Sequence, residues 1–133
     1  MTSVRGALWL AALAVASVAA CALLVVVPYF VNDLDRFPLA DVAIGYHDPK
    51  DLWPTTIPYV GGWLHLGGVL SMLLAPTVLI AVAIASGFGV AFGFARKAWS
   101  AAAAFALVAL ACVLASAWFF SPFAQALATW QMD

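Results

Sequence analysis

The sequence predicts an all-α membrane protein in which an ordered outer loop joins the first two of three transmembrane helices. Hydrophobic residues make up 67% of the 133 residues and charged residues only 8%, whereas a soluble domain has about 25% charged residues. The charges are also grouped, and the three long blocks between the groups carry none. A surface with so few charges is expected to face lipid, and the lack of a basic patch excludes nucleic acid as a partner.

The first uncharged block predicts a span over about residues 7–30, which is enough for a hydrocarbon core about 30 Å thick. Pro28 and the pair Asn32-Asp33 are expected to end this helix. An alternative is a signal segment, because Val18-Ala19-Ala20-Cys21 is similar to a bacterial lipoprotein cleavage box. The apolar run continues beyond Cys21, which favours a retained helix.

The second block predicts a helix over about residues 64–94, preceded by an interfacial lead-in at Tyr59–Trp63. Its length indicates a tilted helix or one that extends past the inner membrane face. Pro76 lies inside this block, so we expect a kink at the carbonyl of Met72.

The third block predicts a span over about residues 98–120, which Ser121-Pro122 ends. The remaining tail, residues 121–133, contains Trp130 and is expected to lie as a short helix along the outer interface. The whole chain, 1–133, is therefore expected to form a single transmembrane domain.

Topology follows from the basic residues, because positive charge is retained on the cytoplasmic side. Arg5 precedes the first span, and Arg96 and Lys97 lie between the second and third spans. The N-terminus is therefore expected inside a bacterial plasma membrane, with loop 31–57 and the C-terminus outside. Aromatic residues then collect at the outer interface (Tyr29, Phe30, Trp53, Tyr59, Trp63, Trp118, Phe119, Phe120) and at the inner one (Phe92, Phe94, Trp99).

The loop over residues 31–57 is expected to be ordered. Prolines follow Phe37, Asp48, Trp53 and Ile57 and restrict the backbone on both sides of each bond. The loop also contains Gly45 and apolar side chains that a disordered linker would not need, namely Leu39, Val42, Ile44 and Trp53.

His65 is the only Asp, Glu, His, Lys or Arg side chain within a predicted span, and such groups are candidates for function. The neighbouring Gly67 and Gly68 would let a backbone or a flat ligand approach. Haem or quinone association through His65 is one hypothesis, but a bis-histidine haem needs a second histidine, and His47 could reach only if the loop folded back. A neutral, hydrogen-bonded histidine is the favoured interpretation, and we expect no bound cofactor.

Other reactive residues give weak signals. His47, Asp48 and Asp51 are too few and too mixed to indicate a zinc or calcium site, so no metal is expected. Cys21 and Cys112 fall at similar predicted depth and are interpreted as packing residues. The sequence has no triad, no phosphate-binding loop and no paired carboxylates within a span, so no catalytic residue is expected.

Small residues at every fourth position indicate helix packing. Ala85, Gly89 and Gly93 recur every fourth position in the second block. This spacing lets two helices approach closely. The pattern predicts association along this face but does not identify the partner.

The Ala-rich short spans, the stretch Asp48 to Pro54 and the short tail with Trp130 resemble small actinobacterial membrane proteins. Some of these are accessory subunits of the cytochrome bcc–aa3 respiratory supercomplex. The resemblance implies a plasma-membrane location at the edge of a respiratory complex, and it assigns no functional residue. The sequence thus predicts a non-catalytic accessory subunit that binds other membrane subunits and lipid. A cofactor-binding anchor that uses His65 and a free-standing lipid-binding or signalling protein stay open.

Overall fold

The computed structural model describes residues 3–44 and 47–132. It is 82% helical, and these residues contain no strand. Gly45 of the predicted loop and Asp133 of the predicted tail lie outside the described residues. The elements in chain order are α1 (Val4–Cys21), a π-helical turn (Ala22–Val26), α2 (Val27–Val31), a 3₁₀ turn (Leu34–Arg36), α3 (Leu39–Ala43), a second 3₁₀ turn (Pro49–Asp51), α4 (Gly61–Ala95), α5 (Trp99–Phe119) and α6 (Pro122–Gln131).

Within the described part, three helical segments are long and apolar enough to cross a membrane, as the sequence predicts. They are Val4–Val31, Gly61–Ala95 and Trp99–Phe119. The second begins earlier than expected, because the Gly61 amide already donates to the Ile57 carbonyl at 3.0 Å. The residues Gly61 to Trp63 therefore belong to the helix, and α4 continues without interruption through Pro76.

The first span continues past Pro28 and ends at Asn32, in agreement with the predicted span over about residues 7–30. Pro28 has no N–H to donate to the carbonyl four residues earlier, and the chain adapts by widening into the π-helical turn just before it. The Val27 amide donates to the carbonyl of Ala22, five residues earlier, as in a π-helix. The helix then continues to Val31 and stops at Asn32, before Asp33 with its left-handed φ of 59°.

The contacts divide the chain into two compact units. One comprises Met1–Ser17 and Ala75–Trp118, and the other comprises Val18–Leu74 and Phe119–Asp133. In the first unit the buried residues of α4 follow alternating steps of three and four, which place them on one side of the helix. They are Ala75, Leu79, Val82, Ser86, Gly89 and Gly93.

The predicted packing glycines lie against α5 of the same chain. A Cβ atom on Gly89 would lie 2.5 Å from the ring of Phe105, and one on Gly93 would lie 2.8 Å from the Cβ of Ala102. Phe105 is fully buried, so the absence of a side chain at Gly89 is what admits its ring. Ala85, the third residue of the predicted set, is half-buried beside this contact.

Two buried serines differ in how their hydroxyl groups are satisfied. The Ser116 hydroxyl donates to the Cys112 carbonyl at 2.7 Å, the usual arrangement for serine within an apolar helix. The Ser86 hydroxyl is fully buried and has no hydrogen-bond partner among the described residues. We infer that Ser86 is tolerated for its small volume.

In the second unit, α6 packs on α3 and on the π-helical turn. The tail is helical, as expected, but it is not an exposed interfacial helix, since Leu127 and Trp130 are almost completely buried. Tyr29 makes edge-on ring contacts with Phe123 and Trp130 at centroid distances of 5.4 and 6.2 Å. These aromatic contacts join the tail to the end of the first span.

Gly89→Ala tests the close approach of α4 and α5. The added Cβ would lie 2.5–2.7 Å from Cγ, Cδ1 and Cδ2 of Phe105, the end of the ring nearest its backbone, so we expect the substitution to lower the free energy of unfolding by about 1–3 kcal/mol. Gly87→Ala is the matched control, because a Cβ there meets nothing within 4 Å. Unfolding in mild detergent would measure both, and equal stability of the two variants would contradict this contact.

Candidate functional site at His65

His65 lies near the start of α4 and is paired with the last residue of α6. The side-chain amide nitrogen of Gln131 is 3.3 Å from His65 Nδ1 and 3.4 Å from the His65 carbonyl oxygen. Gln131 is only 3% exposed. An amide nitrogen can only donate, so this contact is a hydrogen bond when Nδ1 is the unprotonated nitrogen of a neutral imidazole.

The glycines beside His65 make room for this pairing. A Cβ on Gly68 would lie 2.5 Å from the amide nitrogen of Gln131 and 3.2 Å from the Leu24 carbonyl oxygen. A Cβ on Gly67 would lie 3.1 Å from the Leu24 side chain. The space that the sequence left open for a backbone or a flat ligand is thus occupied by Gln131 and the π-helical turn.

Gly61 has a similar role at the first turn of α4. Its Cα lies so close to the Thr55 carbonyl that any Cβ would collide with it. The loop can pass over the start of α4 only because residue 61 is glycine.

Hydrogen bonds between side chains and the backbone fix the loop around the site. Asn32 Nδ2 donates at 2.7 Å to the carbonyls of both Pro28 and Trp53, and the backbone N–H of Trp53 donates to Asn32 Oδ1 at 3.3 Å. The Trp130 indole N–H donates to the His47 carbonyl at 2.6 Å. One asparagine and one tryptophan therefore connect the loop to α2 and α6.

A small cleft borders the pair. Its cavity volume of about 10 Å³ is close to the space of one water molecule. It is lined by Leu24, Pro28, Pro49, Trp53, Pro54, Thr55, Leu64, His65, Trp130 and Gln131. A porphyrin or quinone ring does not fit in a cleft of this volume.

His47 does not present its ring to His65. Its imidazole lies against Phe37, with a distance of 4.3 Å between ring centroids, and only its carbonyl joins the site through Trp130. Within residues 3–44 and 47–132, no group of three or more His, Cys, Asp or Glu side chains could hold a metal ion. Asp48 accepts instead from the Lys50 amide at 2.9 Å, which shapes the 3₁₀ turn.

Both cysteines are buried free thiols. The Cys21 sulfur lies 3.1 Å from the Met72 sulfur, within the second unit. Cys112 belongs to the first unit, where its carbonyl accepts from Ser116. The thiols contribute apolar volume, as small buried hydrophobic side chains do.

A scan against protein-family models found no match, and searches of curated proteins and of solved structures found none either. The proposed function therefore rests on the residues and their geometry.

Sequence reasoning singled out His65 but missed the residues that surround it. Gln131 is separated from it by 66 positions, and nothing in the local pattern connects the two. A usable signal did exist in the tail, because a glutamine beside a tryptophan in an otherwise apolar helix needs partners if it is buried. Asn32 was interpreted only as a helix terminator.

Gln131→Leu tests the pairing. Leucine leaves His65 Nδ1 without its donor, so we expect the α6 helix to open more readily, at a cost of about 1–2 kcal/mol. Amide hydrogen exchange of α6 in detergent micelles measures this opening. Thr129→Ala is the control, since the Thr129 hydroxyl is exposed and bonds only within α6. Equal α6 exchange in the two variants would refute a stabilising role for Gln131.

Proposed function

We propose that this chain is a non-catalytic accessory subunit that packs against another integral membrane protein through the exposed side of α4. The main support is that α4 has two sets of small residues, and among the described residues only one set packs against another helix. Gly89 and Gly93 receive α5, whereas Gly87, Ala91 and Ala95 are exposed.

The exposed set repeats every fourth residue, the spacing at which two helix backbones approach closely in a membrane. A Cβ on Gly87 would meet open space. Glycine lowers helix stability relative to alanine by about 1 kcal/mol, and lipid contact alone gives no compensating gain. A partner helix seated on this side would recover that cost through close van der Waals contacts.

The extent of free helix surface also supports a partner. Only 17% of the apolar window of the first span is buried within the chain, and 28% in each of the other two. Most of each helix is thus available to lipid and to other subunits. Gln131 occupies the space beside His65, which supports a structural role for this pair.

The proposed location is a bacterial plasma membrane, with the N-terminus in the cytoplasm and the loop and α6 outside. The basic residues Arg5, Arg96 and Lys97 support this orientation. The proposed assembly is a respiratory one of the cytochrome bcc–aa3 type, in which electron transport belongs to other subunits. Its support is the resemblance of Asp48 to Pro54 and of the tail with Trp130.

Co-purification in mild detergent tests the proposal. Gly87→Leu and Ala91→Leu place bulk on the exposed stripe and are expected to release the partner while the chain stays folded, because overpacking an interface costs about 1–3 kcal/mol. Ala103→Leu adds similar bulk at an exposed position of α5 and should leave the complex intact. The bound proteins would be identified by mass spectrometry.

Two results would overturn the proposal. One is migration of the wild-type chain at monomer size with no co-migrating protein, which would favour a free-standing lipid-binding or signalling protein. The other is unchanged co-purification of both stripe variants, which would show that this side of α4 faces lipid.

A further inference from the structure

An exposed aromatic pair precedes and begins α4. Tyr59 is 98% exposed and Trp63 is 74% exposed, so neither ring is covered by the chain. Both rings carry a donor, the phenol O–H and the indole N–H, and neither donor has a hydrogen-bond partner among the described residues. In water this arrangement would expose two large apolar surfaces without gain.

The backbone at Tyr59 is held in a costly conformation. Its φ is 69°, in the left-handed region that side-chain-bearing residues rarely adopt. The Val60 amide donates to the Pro58 carbonyl at 2.9 Å, which closes a three-residue γ-turn centred on Tyr59. Such strain persists where the surroundings fix it and is a pointer to function. Here the turn directs a fully exposed ring away from the protein.

The exposed side chains of α4 change from aromatic to aliphatic along its first turns. Trp63 is followed at helical spacing by Leu66 and Leu70, which are 45% and 44% exposed. A polar-tipped aromatic residue therefore leads into purely aliphatic ones. This is the order that a helix meets on passing from lipid headgroups into hydrocarbon, because amphipathic rings prefer the interface.

The length of α4 agrees with this placement. Its 35 residues extend about 52 Å, whereas a bilayer with its headgroup layers is about 40–45 Å thick. The helix therefore reaches the headgroup layer or beyond. Loop contacts fix its first turn, where Gly61 lies under Thr55.

We propose that Tyr59 and Trp63 form a lipid-headgroup anchor that sets the depth of α4 in the bilayer. The ligand is the interfacial layer of phospholipids, whose ester carbonyl and phosphate oxygens accept from the phenol and indole donors. The strained γ-turn holds the Tyr59 ring in that layer. The anchor acts separately from the subunit contact proposed at Gly87.

Depth-dependent fluorescence quenching tests the anchor in the full chain, reconstituted in phosphatidylcholine vesicles. The emission of Trp63 is obtained as the difference between the wild type and Trp63→Phe. We expect bromine atoms near the lipid carbonyls to quench this component more than bromine atoms deep in the acyl chains. Aqueous iodide should quench it weakly.

A second pair of variants examines position 59. In the Trp63→Phe background, Tyr59→Trp should give a new emission that shallow bromines quench. Phe37→Trp is the matched control, because Phe37 is an exposed aromatic residue of the loop (44%) outside the proposed anchor. Its emission should be quenched several-fold more by iodide than that of the tryptophan at 59. Far-UV circular dichroism confirms that each variant is folded.

Three outcomes would overturn the proposal. Iodide quenching at 59 equal to that at 37 would place the γ-turn in water. If deep bromines quench the tryptophans at 59 and 63 more strongly than shallow bromines do, the γ-turn lies in hydrocarbon. Quenching by neither agent would mean that a protein surface, either a second copy or another subunit, covers the pair.

Discussion

A backbone N–H or C=O group in hydrocarbon has no water to bond, and each unsatisfied group costs several kcal/mol. This constraint explains the elements of the chain better than helix propensity does. Where Pro28 removes a donor, the helix does not break but widens into a π-helical turn that keeps bonding, from Val27 to Ala22. The long α4 likewise remains continuous through Pro76.

Outside the long helices, side chains supply part of the hydrogen bonding of the backbone. Prolines leave the loop with few regular backbone bonds, so side chains replace them. Asn32 satisfies groups of Pro28 and Trp53, and the indole of Trp130 satisfies the carbonyl of His47. These bonds connect the loop to α2 and α6 within the second unit, where α6 also packs on α3. The contact of the buried Gln131 with His65 belongs to the same unit.

The sequence predicted what depends on local composition and missed what depends on distant contacts. Three uncharged blocks predicted the three long helices to within a few residues. The recurrence of small residues at every fourth position pointed to Gly89 and Gly93, which contact Phe105 and Ala102. The π-helical turn before Pro28 was not predicted, because it depends on how the backbone adapts to the missing proline N–H. Gln131 was missed because its partner is 66 positions away, although His65 itself was found.

Washing cell membranes with alkaline carbonate tests whether hydrocarbon solvates the three long apolar helices. We expect the intact chain to stay with the bilayer, because α4 and α5 expose large apolar side chains along their length. Recovery of the chain from the wash as a compact monomer in water, without detergent, would contradict it. The proposed orientation, the subunit contact and the headgroup anchor would then lose their basis.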